Sequence, residues 1–454
     1  MQISDLYTLY KKHPVVTTDS RDCPSDALFF ALKGASFDGN AYAKDALQAG
    51  CAYAIVDDAS VATDNYIIYV DDVLVALQQL ARLHRQTLGI PVIGITGTNG
   101  KTTTKELTSA VLSQKHKTLA TQGNLNNHIG VPLTLLKLTR EHEIAIIEMG
   151  ANHPGEIRNL ANIALPDYGI ITNVGYAHLE GFGSLEGVIR TKGELYEFLK
   201  NNGGKIFIHH NNPTLINISE GLEKISYGQI EDENGARPCI SGKMLRNHPF
   251  LALVWKHHGM PYTVETQLVG DYNLSNVLAA ITIGVYFGCS PEQINNAISH
   301  YEPTNNRSQL KKTIHNELII DAYNANPSSM RAALENFTSM NVAPKAVILG
   351  DMLELGDKSQ ELHTEILNLL KTLNIEKILL CGEHFTRAIT SPQYLGVCNT
   401  PLPSPASPVS NAHISPFPTI EAISIYLDSH PLKGYHILIK GSRGIHLEQL
   451  IPNL

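Results

Sequence analysis

From Gly89 onward, short apolar runs rich in Ile and Val alternate with longer stretches of helical period. Pro91–Thr96, Glu143–Met149, Tyr168–Thr172 and Lys205–His209 each end in Gly, Asn or another polar turn residue. Strands that alternate with helical stretches in this way predict a parallel, doubly wound sheet. Such a sheet collects its ligands at the carboxyl ends of its strands. A second series follows from about Tyr301, with Glu317–Ile320, Lys345–Leu349, Lys377–Leu380 and Tyr435–Ile439 as strands and Ser328–Phe337 as a helix. The N-terminal part carries its own apolar segments, Ala27–Leu32, Ala52–Val56 and Tyr66–Val70, and then an amphipathic stretch, Val73–Leu83, that leads into the central series.

Three α/β domains are the economical division: residues 1–86, 87–302 and 303–454. The length of 454 residues agrees, since one core rarely grows so large. The Pro- and Ser-rich run Pro401–Pro418 reads as a long surface loop of polyproline bias.

Composition narrows the chemistry mainly by exclusion. The net charge of −8 gives no global reason to bind nucleic acid or an anionic membrane. The six cysteines are scattered without a CxxC pair, so neither a disulfide framework nor a structural zinc site is expected. No apolar run approaches the roughly 18 residues of a membrane span, and the start Met1-Gln-Ile-Ser-Asp-Leu-Tyr7 does not resemble an export signal. A cytoplasmic protein without membrane insertion is expected.

The strand Pro91–Thr96 runs into Gly97-Thr98-Asn99-Gly100-Lys101-Thr102-Thr103, and a helix-compatible stretch, Thr104–Leu112, follows. Strand, glycine loop and helix in this order aim backbone N–H groups and a helix N-terminus at phosphate oxygens. Lys101 is placed to neutralise β- and γ-phosphates, and the Thr102 hydroxyl to bind magnesium. The loop is a variant of the G-x-x-x-x-G-K-[ST] pattern, because Ile95 stands at its first glycine. Magnesium prefers hard oxygen donors, and Glu148, at the end of the apolar run Glu143–Met149, supplies one beside the loop.

Further motifs are Gly123-Asn-Leu-Asn-Asn-His-Ile-Gly-Val-Pro132, Glu148-Met-Gly150, Thr172-Asn-Val-Gly-Tyr-Ala-His178, Lys192-Gly-Glu194, Arg307, Asp321-Ala-Tyr-Asn-Ala-Asn-Pro327 and Lys440-Gly-Ser-Arg-Gly444. In this order and spacing the chain resembles the Mur ligases, which add amino acids to the peptidoglycan precursor. The resemblance covers nearly the whole sequence. It implies a small uridine-nucleotide domain, a central phosphate-loop ATPase-like domain and a C-terminal Rossmann-like domain. The activity it implies is ATP-dependent amide formation, in which a peptide carboxylate takes the γ-phosphoryl group and the acyl phosphate is then attacked by an amine. Within the family, Leu349-Gly-Asp-Met-Leu-Glu-Leu-Gly356 and Asp321–Pro327 look like the branch that joins D-alanyl-D-alanine to UDP-N-acetylmuramoyl-tripeptide. The Asp-Asn-Pro-Arg motif of the diamino-acid-adding branch is absent from the sequence. A nucleotide-gated binding protein, the reading from another class, has no use for the first domain or the Lys192 motif.

The resemblance also implies roles for individual residues. Two magnesium ions are expected, one with Thr102 and Glu148, the other near His178 and a carbamylated Lys192. Asn273 matches the adenine contact, preceded by Tyr272 where the family often has His. Arg307 and Asp321 match residues that reach the phosphates and ribose when the third domain swings in. Ser20, Arg21 and Lys33 match the uridine-nucleotide pocket, although Asn40 stands where a His is frequent. Asn126, Asn127 and His128 follow the short strand Lys117–Ala120 in a loop suited to the precursor's sugar or peptide. Asn324, Asn326 and Lys440 are carried over as further substrate contacts. A monomer is expected.

Overall fold

The computed structural model describes residues 1–229, 239–391 and 413–454, together with Tyr394. Its strands form three sheets, one in each of three α/β units that follow one another along the chain. The first sheet is parallel and runs β1 (Val16–Thr17), β2 (Leu28–Phe30), β3 (Tyr53–Val56), β4 (Ile67–Tyr69), in that order.

The helix Val73–Leu88 joins this unit to the next. Asp72 caps it by accepting from the Val75 N–H at 2.8 Å, which satisfies one of the orphan donors of a helix start. Its stripe of Val73, Leu77, Leu80 and Ala81 is fully buried and packs in one core with Val131, Leu135 and Leu160 of the central unit. Each buried Leu of that stripe contributes about 1.5–3 kcal/mol. The amphipathic stretch legible in the sequence ends at Leu83. The structure continues it to Leu88, since His84 Nε2 lies 2.9 Å from the Leu138 carbonyl and Arg85 donates to Asp167 at 2.6 Å.

The central sheet contains β5 (Val92–Thr96), β6 (Thr118–Ala120), β7 (Ile144–Glu148), β8 (Tyr168–Ile171), β9 (Lys205–His209), β10 (Glu223–Gly228), β11 (Ile240–Arg246), β12 (Ala252–His257) and β13 (Met260–Glu265). Its order is β13-β12-β11-β10-β9-β8-β5-β7-β6. Strands β5 to β11 pair in parallel, whereas β12 and β13 are antiparallel. Ile95 pairs with Glu148 and Thr96 with Ile171. That register brings the carboxyl ends of β5, β7 and β8 side by side, where a doubly wound sheet binds its ligands.

The third sheet runs β14 (Gln309–Lys312), β15 (Glu317–Asp321), β19 (His436–Lys440), β16 (Lys345–Gly350), β17 (Lys377–Cys381), β18 (His413–Phe417), with only β14 antiparallel. Strand β18 corrects the expectation of a loop over Pro401–Pro418. His413–Phe417 pair in parallel with β17 at the sheet edge, the one place where a proline such as Pro416 leaves no ladder bond unmade on its far side. Residues 401–412 lie outside the described residues. Among the described residues no helix is long and apolar enough to cross a membrane, and Cys23, Cys51, Cys239, Cys289 and Cys381 are free.

Candidate active site

Strand β5 is buried throughout, and at its end the Thr96 hydroxyl donates to the Met149 carbonyl at 2.8 Å. The chain then turns at Gly97, whose φ of 142° is open to glycine and little else. A Cβ there would sit 2.0 Å from Thr172 Oγ1 and 3.0 Å from the Thr172 nitrogen. Residues after β8 hold the loop from behind. Thr172 Oγ1 donates to the Asn99 carbonyl at 2.6 Å, the Asn99 N–H donates to Asn173 Oδ1 at 2.9 Å, and the Thr98 N–H to the Asn173 carbonyl at 2.9 Å.

The helix Lys101–Leu112 starts directly from Gly100 with no capping side chain. Its first N–H groups are therefore left for a ligand, and the helix dipole favours an anion there. Lys101 folds back over the loop, donating to the carbonyls of Gly97 at 2.8 Å and Thr98 at 3.1 Å. Burial draws its ammonium pKa down to about 8, with Arg307 acting in the same direction and Glu148 against it. Thr102 and Thr103, in the first helical turn, are both buried.

Glu148 ends β7 beside the loop. Its Oε1 accepts from Thr102 Oγ1 at 3.2 Å and from Asn126 Nδ2 at 2.9 Å, while Oε2 is buried without a partner. An orphaned carboxylate oxygen next to a threonine hydroxyl is a donor set that fits a hard cation. Lys192 lies on the buried face of the helix Leu185–Asn201, with Nζ 3.3 Å from the Ala151 carbonyl and 5.3 Å from the Phe182 ring centre. Burial, with the charge of Lys101, pushes its pKa well below that of an ordinary lysine. His178 sits at φ 48° before a short helix, Leu179–Phe182, with Nδ1 2.5 Å from Glu354 Oε2. No group of three or more His, Cys, Asp or Glu side chains forms a metal cage among the described residues. Glu194, the third residue of that motif, is structural: its two oxygens accept from the Gly155 and Arg158 N–H groups at 2.8 and 2.9 Å.

The third unit closes over this floor. Asn326 Nδ2 donates to Asn99 Oδ1 at 2.7 Å, and Asn99 Nδ2 donates to Ser328 Oγ at 3.0 Å. One cleft of about 760 Å³ thus has Lys101, Glu148 and His178 on one side and Arg307, Asp321 and Asn324 on the other. Arg307 stacks on Tyr323 at 3.7 Å, and its Nε is buried without a partner. Asp321 and Lys440 face each other across β15 and β19, with Lys440 Nζ donating to Asp321 Oδ2 at 2.5 Å. Lys440 is 1% exposed, and both partners line the cleft.

Asn273 is buried in a polar chain. Its Nδ2 donates to the Val269 carbonyl at 2.9 Å and to Ser308 Oγ at 3.0 Å, and its Oδ1 accepts from Asn276 at 3.0 Å. Tyr272 joins the same chain, its hydroxyl 3.2 Å from Ser308 Oγ. Asn127 Oδ1 accepts from the Gly130 N–H at 2.9 Å, and His128, which also lines the cleft, receives a hydrogen bond from Gln78 on its carbonyl at 3.0 Å.

Ser20, Arg21 and Lys33 do not line this cleft. Arg21 forks onto Asp19 at 2.7 and 2.9 Å, and Lys33 pairs with Asp57 at 2.8 Å. Asn40 is buried between Asp38 and Asp57. Asn173, Tyr323, Ser328 and Glu354 carry no role in the sequence reading, although the first two and Glu354 lie within quoted motifs. Their signal was present, but the partner that gives each a role comes from a distant part of the chain.

Known proteins resemble the chain along its length. The Mur ligase middle domain matches residues 95–284, the Mur ligase, glutamate ligase domain matches 306–443, and the Mur ligase family, catalytic domain matches 14–85. The UDP-N-acetylmuramoyl-tripeptide--D-alanyl-D-alanine ligase of Bacillus subtilis (strain 168) is 35% identical, over 97% of this chain and 92% of the relative. The crystal structure of MurF from Acinetobacter baumannii superposes with a TM-score of 0.83 at 30% identity, covering 97% of this chain and 92% of that one. MurF ligase from Thermotoga maritima, solved in complex with ADP, gives a TM-score of 0.80 at 25% identity, covering 97% and 96%. A glycine loop held by the residues that follow β8, a third α/β unit docked on that loop, and likeness to these enzymes over nearly the full length lead to one assignment: the chain belongs to the Mur ligase family.

Proposed function

We propose that this protein is an ATP-dependent ligase that joins D-alanyl-D-alanine to UDP-N-acetylmuramoyl-tripeptide, releasing ADP and phosphate. The observation that carries the reading is the single cleft in which the phosphate loop, the half-free Glu148 and the third unit's Arg307 and Asp321 converge. The full-length likeness to ligases named for this substrate pair supports the choice of substrates.

In this reading the loop residues Gly97, Thr98, Asn99, Gly100, Thr102 and Thr103 and the helix start grip the triphosphate, and Lys101 offsets its charge. Asn273 faces the adenine, Asp321 the ribose and Arg307 the phosphates, an assignment that suits a carboxylate to paired hydroxyls and a guanidinium to phosphate oxygens. The tripeptide's terminal carboxylate oxygen bonds to the γ-phosphorus as the bond to ADP breaks. The amine of D-alanyl-D-alanine then attacks the acyl carbon, phosphate leaves, and the nitrogen loses a proton. Positioning and charge neutralisation supply the acceleration, with no nucleophile from the protein.

Thr102 and Glu148 would hold one magnesium ion, and His178 with a carbamylated Lys192 a second. Magnesium supplies charge neutralisation on the phosphoryl oxygens. Burial lowers the Lys192 pKa and so favours the neutral amine, which is the form that adds to carbon dioxide and, after losing a proton, becomes a carbamate oxygen donor. Asn126, Asn127, His128, Asn324, Asn326 and Lys440 line the cleft as candidate contacts for the peptide substrates. Ser20, Arg21 and Lys33 remain candidates for the uridine nucleotide on the first unit. The units act as domains 1–86, 87–302 and 303–454, in a monomeric cytoplasmic enzyme.

The test incubates pure protein with ATP, magnesium, UDP-N-acetylmuramoyl-tripeptide and D-alanyl-D-alanine, and measures phosphate release alongside the pentapeptide product by mass spectrometry. Turnover restricted to the dipeptide-linked nucleotide with a free diamino acid would overturn the substrate assignment.

A further inference from the structure

The side-chain amide of Asn273 is oriented by neighbours that leave no choice of end. The Val269 carbonyl, 2.9 Å away, can only accept, so the atom facing it is Nδ2, and Oδ1 then faces the Asn276 amide at 3.0 Å. Asn276 is fixed in turn, because Thr104 Oγ1 donates to its Oδ1 at 3.2 Å. The second Nδ2 hydrogen goes to Ser308 Oγ at 3.0 Å. An amide offers two N–H donors and two lone pairs on its oxygen. Among the described residues, one lone pair on Oδ1 is all that Asn273 has left. Ser308 is 3% exposed and lines the cleft together with Asn273. Its backbone is left-handed, at φ 51°, an uncommon state for serine that persists where the surroundings impose it. The Val269 N–H donates to the Ser308 carbonyl at 3.1 Å, and the Tyr272 hydroxyl stands 3.2 Å from Ser308 Oγ.

We propose that Ser308 is a positioning residue that sets the nucleobase preference of the site: by taking the second N–H of Asn273 it leaves that amide as an acceptor alone, which selects a base presenting an amino group. Adenine meets the condition with its 6-amino group. Hypoxanthine and guanine carry a carbonyl oxygen at the same position, where two lone pairs would face each other with no proton between them. A site built around a hydrogen bond rejects the analogue that cannot make it, because the buried group is left unpaired. Ser308 follows Arg307 in the chain, so the third-unit segment that brings the guanidinium to the cleft also brings the hydroxyl that sets the base preference. The inference rests on the reading of Asn273 as the adenine contact, and it predicts a ratio of affinities that does not depend on turnover.

The experiment titrates ADP and IDP, each with magnesium, into full-length wild type, Ser308→Ala and Ser308→Gly by calorimetry. Wild type is expected to favour ADP by about 100-fold. In Ser308→Ala the freed N–H can donate to the 6-carbonyl of IDP, and the ratio is expected to fall to about 10-fold or less because IDP gains affinity while ADP does not. A merely structural role would weaken both nucleotides alike and leave the ratio where it was. Glycine accepts φ 51° more readily than alanine, so Ser308→Gly carries the test if Ser308→Ala does not fold. Asn306→Gly is the control: it loosens the same joint, where Asn306 has φ 55°, and keeps the hydroxyl, so the wild-type ratio is expected. A ratio in the Ser308 variants within about threefold of wild type overturns the proposal, as does an equal fall in Asn306→Gly or a wild type that binds ADP and IDP alike. Failure of the nucleotide reading would show separately, as wild type that binds neither diphosphate, and it removes the proposal as well.

Discussion

Replacing Gly97 by alanine tests the phosphate loop at the point where the structure leaves it least room. The added Cβ would meet Thr172 Oγ1 at 2.0 Å and the Thr172 nitrogen at 3.0 Å, so the loop must retreat by more than 1 Å to restore ordinary contact. Retreat pulls the Asn99 carbonyl off the Thr172 hydroxyl and moves the Gly97 carbonyl that Lys101 holds. Overpacking of this kind costs about 1–3 kcal/mol, and a side chain at φ 142° adds about 1–3 kcal/mol of backbone strain. If only about 2 kcal/mol of that total falls on the loop's nucleotide-binding geometry, affinity drops about 30-fold. Calorimetric titration of ADP with magnesium into wild type and Gly97→Ala measures it. Gly89→Ala is the control: its φ of 66° also disfavours a side chain, but nothing lies within 4 Å of the added Cβ, which caps a helix away from the cleft. That variant is expected to lose about 1 kcal/mol of stability and keep its affinity. Gly97→Ala binding within threefold of wild type would show that the loop does not need its present shape to hold phosphate.

Lys192→Ala is expected to abolish ligation and to regain part of it when formate or acetate is supplied, and carbon-13 dioxide should give a carbamate signal in wild type that the variant lacks; full unsupplemented activity would remove Lys192 from the site. Lys440→Met leaves Asp321 without its buried partner and should lower third-domain stability by about 3 kcal/mol, with Asp321→Asn on top recovering more than half of it in calorimetry. A change below about 0.5 kcal/mol in the single variant would contradict the pairing. Lys101, with its pKa lowered from 10.5 to about 8 in the fold, binds fewer protons folded than unfolded between those values. Wild type should therefore gain thermal stability relative to Lys101→Met as pH rises from 8 to 10, and parallel curves for the two proteins would mean that the ammonium is not desolvated.

What the sequence conveys about this protein is what local chemistry dictates. Strands β5, β7, β8 and β9 fall within a residue or two of their apolar runs, because each is buried on both faces and must be continuously hydrophobic. The phosphate loop is legible for the same reason: glycine, lysine and threonine act within one turn of chain. Strands β11 to β13, where the pairing turns antiparallel, escape the reading because exposed residues interrupt their apolar runs. Helix Val73–Leu88 is cut short because His84 and Arg85 look polar in isolation and find partners only on the central unit. In the cleft, Glu354 and Tyr323 gain meaning only from His178 and Arg307, and no period or spacing encodes a contact between separate domains.

Among the buried atoms of the cleft that lack a partner, one on each wall gives it a direction. Glu148 Oε2 is a carboxyl oxygen of the central unit, and Arg307 Nε a guanidine nitrogen of the third. Each unsatisfied group costs about 1–3 kcal/mol while it lacks a partner, so the closed arrangement without ligand is stabilised less than its apolar contacts alone would suggest. The stacking of Arg307 on Tyr323 holds the guanidinium in place without neutralising it. A triphosphate carrying a divalent cation offers an anion to one wall and a cation to the other, and a ligand with only one of these leaves the opposite atom orphaned. Closure should therefore be strongest when both are present, which makes docking of the third unit a check on the complete nucleotide rather than on the adenosine alone.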